Sequence, residues 1–450
     1  MSAISRSVDN RTHINRRCEA SNTLNDYAPK EETVFLSGGL TLAHGELVQA
    51  ALRGMGYRFI SLDEPDFESF RLGKIYGNKA QCNPTYFTVG NLIKYLTHLR
   101  DEEKMPTEEI IRRYVYITAG GCGPCRFGMY VTEYKKALRD AGFEGFRITS
   151  FDHEKGIFQG EDADGLIDYT PAFFIRLAKA VLVGDVLNLI GYQIRPYERT
   201  AGETDRVLAR CRRDVAKSFE RNRALLPVLW RCRRTLQGIA RDTSLRKPRV
   251  MVIGEFWASL TEGDGSYGLY RFLESEGAEC IPQPIVNRLL LNIWDAKYAA
   301  MQRAALPGEK AVDFSPLKTR ALIAAADKAV RWHFALYARI LGLTRYRLPD
   351  MDKLADLAKG YYNLECNGGE GHLEVAHLLE AVKEDLADLV ISVKPFGCMP
   401  SSGVSDGVQS LVTARYPEAN FLAIETSGEG AANFYSRVQM ALFKAKEKMK

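Results

Sequence analysis

The stretch RRYVYITAGGCGPCRFGMYVTEYKKALRDAG, residues 112–142, decides the fold because it contains a strand, a turn and a helix in that order. The apolar run VYIT predicts a strand, and FGMYVTEYKKAL has the apolar spacing of an amphipathic helix. Four further segments repeat this order of strand, small or Gly-rich turn and helix. Strands that alternate with helices are typical of parallel sheets built from βαβ units, so we predict an α/β fold. The four segments are 32–56, 248–277, 388–417 and 420–448.

A basic helical stretch interrupts this alternation near the middle of the 450-residue chain. The strand pattern restarts after Pro248, which marks a plausible domain boundary. Within the second half, KTRALIAAADKAVRWHFALYARILGL predicts a helical insertion. The predicted parts are a disordered leader (1–30), an N-terminal α/β domain (31–175), a helical segment (176–247) and a C-terminal α/β domain (248–450) with the insertion near 310–360.

The helical segment carries many more basic than acidic residues, and its apolar residues follow one stripe. Leu208, Cys211, Val215 and Phe219 have helical spacing, so we expect them to face the core. The basic residues then form either a solvated helix face or a docking face for an acidic partner or an anionic ligand.

Overall charge and hydropathy exclude several classes of protein. The net charge of +5 is too small to indicate nucleic-acid binding, and no apolar run is long enough to span a membrane. The first residues are polar and basic, unlike a secretory signal. We therefore expect a cytoplasmic protein whose nine cysteines stay reduced, which favours metal binding or redox chemistry over structural disulfides.

Cys122 and Cys125 form a Cys-x-x-Cys motif at the predicted start of a helix. The free N–H groups and the dipole at a helix N-terminus lower a thiol pKa, so these side chains are suited to act as thiolates. Three interpretations remain open for the motif alone: a thioredoxin-like dithiol, a metal or iron–sulfur site, and an inert pair. Gly121 stands where a thioredoxin has tryptophan, which weakens the first interpretation.

Two other cysteines precede predicted helices in the same way. Cys398 follows the strand VISVKP and a Gly turn, and Cys82 lies just before Pro84 and a helical pattern. If the strands are parallel neighbours, their carboxyl ends converge on one cleft. We therefore expect the two thiols to meet Cys122 and Cys125 there. Four thiolates suit zinc or an iron–sulfur cluster, and their placement in two domains favours a reactive cluster over a structural zinc.

Several other polar residues are weaker candidates. Cys366, before a Gly-rich turn, is a candidate fifth ligand. His372 and His377 lack the spacing of a helical metal pair, so we expect one to be partly exposed and the other to pack in the core. Glu255 and Glu425 follow strands, where we expect a capping or solvated role.

Three cysteine motifs resemble the superfamily of 2-hydroxyacyl-CoA dehydratases and benzoyl-CoA reductases, in its branch related to CoA-substrate-specific enzyme activases. The likeness covers roughly residues 31–450. It implies two flavodoxin-like or Rossmann-like parallel-sheet domains around an oxygen-sensitive iron–sulfur cluster. The motifs are CNPTYFTVGNLIKYL (82–96), TAGGCGPCRFGMY (118–130) and VKPFGCMPSSGVSDGV (393–408).

The resemblance also implies a set of ligands and a partner. The cluster cysteines of the family correspond to Cys82, Cys398 and one or both of Cys122 and Cys125. Four thiolates imply a closed [4Fe–4S] cluster, or a contribution to a double-cubane cluster. A separate ATP-hydrolysing iron–sulfur activator is expected to supply electrons at low potential. The electrons would serve a reductive or dehydratase reaction on an acyl-CoA or another small molecule. The expected assembly is a homo- or heterodimer. The alternatives are a thiol–disulfide oxidoreductase and a zinc-stapled scaffold or activator subunit.

Overall fold

Two parallel sheets and the helices around them make up the described part of the molecule. Each sheet is formed by one half of the chain, and helices connect successive strands. The computed structural model describes residues 27–38, 41–120, 125–151, 165–304, 315–366, 368–403 and 407–449.

The first sheet has four parallel strands in the order β2-β1-β3-β4. Its two central strands, β1 and β3, are apolar. Phe35 of β1 lies opposite Phe59 of β2 on one side and Val115 of β3 on the other. Strands buried on both faces are typical of parallel sheets covered by helices. The strands are β1 (Val34–Ser37), β2 (Arg58–Ser61), β3 (Tyr114–Ala119) and β4 (Arg147–Phe151).

The second sheet repeats this arrangement in the order β6-β5-β7-β8, again with every strand parallel. Val252 of β5 lies opposite Ile391 of β7, and both are buried. The predicted α/β fold with two parallel sheets is therefore confirmed. The strands are β5 (Arg249–Gly254), β6 (Glu279–Ile281), β7 (Leu389–Pro395) and β8 (Phe421–Thr426).

Helices of the first half cover the first sheet and then lead away from it. They are α1 (Leu42–Arg53), α2 (Phe67–Tyr76), α3 (Asn83–Asp101), α4 (Thr107–Arg113), α5 (Tyr130–Asp140), α6 (Pro171–Ile194), α7 (Glu203–Glu220) and α8 (Leu225–Gln237). Three of them, α6 to α8, follow one another between the two sheets. A 3₁₀ turn at Arg126–Met129 lies directly before α5.

Helices of the second half include a long pair between β6 and β7. They are α9 (Phe256–Leu260), α10 (Leu269–Ser275), α11 (Ile285–Ala304), α12 (Ser315–Leu341), α13 (Met351–Ala358), α14 (Leu373–Lys383), α15 (Met399–Gly403), α16 (Gln409–Arg415) and α17 (Ala431–Lys448). The domain boundaries expected from the sequence remain a prediction.

One hydrophobic cluster joins the two halves of the molecule. It contains Leu47 of α1, the buried stripe of α7 and Met251 of β5. Leu208, Cys211, Val215 and Phe219 are all buried, as the helical spacing predicted. Helices α6 to α8 therefore pack against elements of both halves. None of the helices in the described ranges combines the length and the apolar character needed to cross a lipid bilayer.

Candidate functional site

The chain segments that contain Cys82 and Cys398 are in direct contact. The backbone N–H of Asn83 donates a hydrogen bond of 2.9 Å to the carbonyl oxygen of Phe396. Gly397 has a φ of +77°, and a Cβ atom there would lie 3.2 Å from the Cα atom of Cys82. A larger residue would therefore strain its own backbone and press against the neighbouring segment. Glycine at this position lets the segments of Cys82 and Cys398 meet.

The third cysteine segment reaches the same place. Cys125 immediately precedes the 3₁₀ turn, and the next residue, Arg126, donates a hydrogen bond of 2.8 Å to the carbonyl oxygen of Ala80. The hydroxyl of Tyr130, at the start of α5, lies 3.0 Å from the sulfur of Cys82. The Cys82 segment thus lies between the other two.

The Cys82 thiol is buried and surrounded by hydroxyl groups. It precedes α3 and is 7% exposed. Its sulfur lies 3.1 Å from the Thr85 hydroxyl and 3.0 Å from that of Tyr130. Burial raises the pKa of this thiol, and the two hydroxyl groups act in the opposite direction because they can donate to a thiolate.

Cys398 has a similar environment on the opposite side of the cleft. It is 7% exposed and lies in the turn between β7 and α15. Burial raises the pKa of its thiol above the usual range, and the Ser401 hydroxyl opposes this effect. Cys125 is half-buried, and burial raises its pKa as well. Each thiol is therefore disfavoured as a free thiolate.

One half-buried carboxyl group acts electrostatically on all three thiols. Glu255 follows β5 and caps α9, where its Oε2 accepts a hydrogen bond of 2.8 Å from the Ala258 N–H. Burial raises the pKa of Glu255 to about 7. Its charge in turn raises the pKa of Cys82, Cys125 and Cys398. The capping role expected for Glu255 is confirmed, and the site lies at the carboxyl end of a strand, as in other α/β sheets.

Helix α14 contributes a second carboxyl group, that of the buried Glu374, which also raises the pKa of Cys398. The Ser401 hydroxyl donates a hydrogen bond of 2.7 Å to Oε1 of Glu374. Burial raises the pKa of Glu374 to about 8. The expectation that one of the two histidines is partly exposed is wrong, because His372 and His377 are 2% and 5% exposed. Residues 372–379 of this segment are all buried, so both imidazoles lie inside the fold.

The structure thus places the chain segments of three of the four predicted ligands, Cys82, Cys125 and Cys398, in contact, and the fourth, Cys122, lies outside the described residues. Within the described ranges, no three or more His, Cys, Asp or Glu side chains are arranged to hold a metal ion. The donor chemistry of the site nevertheless fits a thiolate-bound group, since each thiol has a hydrogen-bond donor at its sulfur. Cys366 is exposed, unlike Cys82 and Cys398.

Sequence reasoning missed Tyr130, Glu374 and Ser401. No pattern singles out Glu374, because GHLEVAHLLEAV also contains three other polar residues, His372, His377 and Glu380. Compared with models of known protein families and with curated proteins, the chain matches neither. The functional conclusion therefore depends on the residues of the cleft.

Proposed function

We propose that this chain is an iron–sulfur protein of the 2-hydroxyacyl-CoA dehydratase type, which receives low-potential electrons from an ATP-dependent activator for a reductive or dehydratase reaction. One observation carries the proposal. Cysteine segments from the two halves of the chain meet, since the N–H of Asn83, next to Cys82, donates to the carbonyl oxygen of Phe396, two residues before Cys398, and Glu255 raises the pKa of Cys82, Cys125 and Cys398 alike. In this proposal the three thiols and Cys122 hold the cluster.

The environment of the thiols supports a cationic group bound between them. Burial disfavours a free thiolate, but a bound metal reverses this preference because its charge compensates the thiolates. The hydroxyl groups of Thr85 and Tyr130 at Cys82, and the backbone N–H of Ser401 at Cys398, are the donors that a metal-bound sulfur accepts. An iron–sulfur cluster of the [4Fe–4S] or double-cubane type would supply one-electron transfer at low potential.

The residues of this chain have separate tasks in the proposed site. The close contact at Gly397 and the burial of Cys82 and Cys398 exclude water from the sulfurs. Burial raises the pKa of Glu255 to about 7, so its carboxyl group exchanges a proton near neutral pH. The hydroxyl of Tyr130 fixes the sulfur of Cys82.

The rim of the cleft supports a protein partner. Three large apolar side chains close to the thiols in sequence are about half exposed: Phe396, Met399 and Met129 are 49%, 54% and 60% exposed. Exposed apolar residues grouped at a site are typical of protein interaction surfaces. We assign this rim to the electron-donating activator. A cytoplasmic location fits the free thiols of the described cysteines.

The proposal is tested by anaerobic reconstitution with iron and sulfide, followed by analysis of both elements and electron paramagnetic resonance. Wild-type protein is expected to bind iron and sulfide together. Cys398→Ala should lose the cluster and keep the fold, whereas Cys280→Ala, in a buried strand away from the cleft, should keep both. The proposal would be contradicted if the wild-type protein bound neither iron nor sulfide, or if Cys398→Ala and Cys280→Ala bound equal amounts of them.

The same preparations distinguish the other candidate functions. A thiol–disulfide oxidoreductase would need a Cys125 thiol of low pKa, but burial raises that pKa. Zinc retained in aerobically purified protein, with no iron uptake, would instead favour a zinc-stapled scaffold.

A further inference from the structure

Helix α8 presents an apolar surface to solvent. Leu226 and Trp230 lie one turn apart on it and are 44% and 53% exposed, and Pro227 between them is exposed as well. The opposite face of the helix is buried in the hydrophobic cluster that joins the two halves of the molecule. A helix that packs on one face normally carries polar side chains on the other. Two large apolar residues side by side in solvent therefore indicate a surface that another molecule covers.

Arginines lie at both ends of this apolar centre. Arg223 precedes the helix by two residues, and Arg231 and Arg234 follow Trp230 within one turn. The members of the set that lie in the helix are three or four residues from one another, so they share one face. From Leu226 to Arg234 this face is about 12 Å long. The α8 stripe, as we call it, consists of Arg223, Leu226, Pro227, Trp230, Arg231 and Arg234, all of them exposed.

The charge of the α8 stripe has a single sign. Residues 221–237 contain five arginines and neither an acidic residue nor a lysine. In the part of the chain that the structure describes, no carboxylate forms an ion pair with Arg223, Arg231 or Arg234. A solvated helix face is typically lined by charges of both signs that pair along it. Of the two roles that the sequence leaves open for this basic segment, the unpaired arginines favour the docking face over the solvated face.

One arginine of the α8 stripe also holds its tryptophan. The guanidinium carbon of Arg234 lies 5.0 Å from the centre of the Trp230 ring, which is a cation–π contact. This contact restrains the indole at the surface, so a partner that covers the ring loses less conformational entropy on binding than it would at a free side chain. Tryptophan and arginine are also the residues that most often dominate the binding energy of protein interfaces.

We propose that the α8 stripe docks an acidic amphipathic helix of a partner protein. Apolar side chains of that helix, one turn apart, cover Leu226 and Trp230. Its carboxylates, on either side of them, accept hydrogen bonds from Arg223, Arg231 and Arg234. An arginine can donate two parallel hydrogen bonds to one carboxylate, which fixes the orientation of the partner. The inference uses no residue of the thiol cleft, so it does not depend on the proposed function.

The apolar centre favours a protein over other anionic surfaces. A nucleic acid offers phosphates along its whole backbone, which would leave Leu226 and Pro227 without an apolar partner. An anionic membrane binds a helix in proportion to the apolar area that the helix buries, and two large side chains provide little. Protein interfaces, in contrast, are enriched in tryptophan and arginine and depleted of lysine, which is the composition of residues 221–237.

Fluorescence anisotropy with a designed probe tests the docking surface on the full chain. The probe is a fluorescein-labelled peptide of about four helical turns, with leucines on one face and glutamates on the other. Wild-type protein should bind it saturably, and Trp230→Ala and Arg231→Glu should each weaken binding at least about tenfold. The matched controls are Trp332→Ala and Arg320→Glu, at exposed positions of α12, which should bind like the wild type. Leu226→Ser is a second stripe variant with the same expected loss, should Trp230→Ala not fold.

Three further probes separate this partner from simple charge attraction and from the other surfaces. A peptide with serines in place of the leucines keeps the charge and should bind at least about tenfold more weakly, since the apolar centre is then uncovered. A single-stranded oligothymidylate and vesicles that contain phosphatidylserine should bind more weakly than the leucine peptide. The proposal would be overturned by absence of saturable peptide binding, by equal losses in the α8 and α12 variants, by equal binding of the serine peptide, or by tighter binding of the oligonucleotide or the vesicles.

Discussion

The hydroxyl oxygen of Tyr130 lies 3.0 Å from the sulfur of Cys82, and both side chains are buried. Since α5 carries Tyr130 and α3 begins beside Cys82, this contact fixes the thiol between two helices. A hydroxyl that donates to a sulfur stabilises negative charge on it, and hydrogen bonds to cluster sulfurs raise the reduction potential.

Tyr130→Phe removes that donor and keeps the ring. We expect the midpoint potential of protein reconstituted with the proposed cluster to become more negative, because the reduced state loses a hydrogen bond. A redox titration followed by electron paramagnetic resonance measures the shift. Tyr134→Phe is the matched control, since the Tyr134 hydroxyl contacts Tyr116 and not a cysteine. Equal potentials for the two variants would exclude the proposed contribution of Tyr130.

The second prediction concerns the contact between the two halves of the chain at Gly397. Gly397→Ala forces a Cβ atom to within 3.0 Å of the Gln81 carbonyl oxygen, in a backbone conformation with a φ of +77°. We expect a loss of about 1–3 kcal/mol in the free energy of unfolding. Urea denaturation measures this loss. Gly403→Ala, where a Cβ atom meets open space, should leave stability unchanged. If Gly397→Ala loses no more stability than Gly403→Ala, the contact at Gly397 is not tight.

Much of the fold was predictable because the signals are local. The runs that form β1, β3, β5, β7 and β8 are each followed by a turn and an amphipathic helix, and all five are strands in the structure. The edge strand β2, RFIS, is only four residues long and partly exposed, so its pattern is too short to be distinguished from a loop. Strand β4, RITSF, is only five residues long and is followed by polar residues, so its sequence also lacks a clear strand pattern.

The site was predictable only in part. Cys398 follows its strand closely, as expected, but Cys82 lies after α2 and reaches the cleft only through tertiary packing. Glu374 was not predicted, because a buried carboxyl group leaves no periodic signal and its burial depends on the residues that pack around it. The contact between Asn83 and Phe396 joins residues of distant segments, which no single stretch of sequence encodes.

The third prediction is a pH dependence of stability that originates at Glu64. Burial, and then the nearby Glu262 carboxyl group, raise the pKa of Glu64 from 4.5 to about 8. The Leu42 N–H and Arg212 lower it to a smaller extent. Because the folded state binds this proton more tightly than the unfolded state, protonation of Glu64 stabilises the fold, and this contribution is complete below pH 4.5. It is lost as the pH rises toward 8.

Glu64→Gln fixes the neutral form and should remove this dependence. Between pH 5 and pH 8 the wild-type free energy of unfolding should fall relative to the variant, by at most about 1.4 kcal/mol per pH unit. Urea denaturation at several pH values provides the comparison. Glu365→Gln, an exposed position, should follow the wild type. Parallel curves for wild type and Glu64→Gln would mean that Glu64 is ionised in the folded protein.

The last prediction concerns Glu255 and needs no cluster. Burial raises the pKa of the half-buried Cys125, and the Glu255 carboxylate raises it further. Glu255→Gln removes this charge, and the amide oxygen can still accept the Ala258 N–H that caps α9. We expect alkylation of Cys125 by iodoacetamide at pH 8, followed by peptide mass spectrometry, to become faster by up to about tenfold, the factor of one pKa unit. The exposed control Glu425→Gln should leave the rate unchanged. A slower or unaltered rate in Glu255→Gln would mean that its carboxylate does not act on this thiol, because the substitution changes the charge and leaves the cap in place.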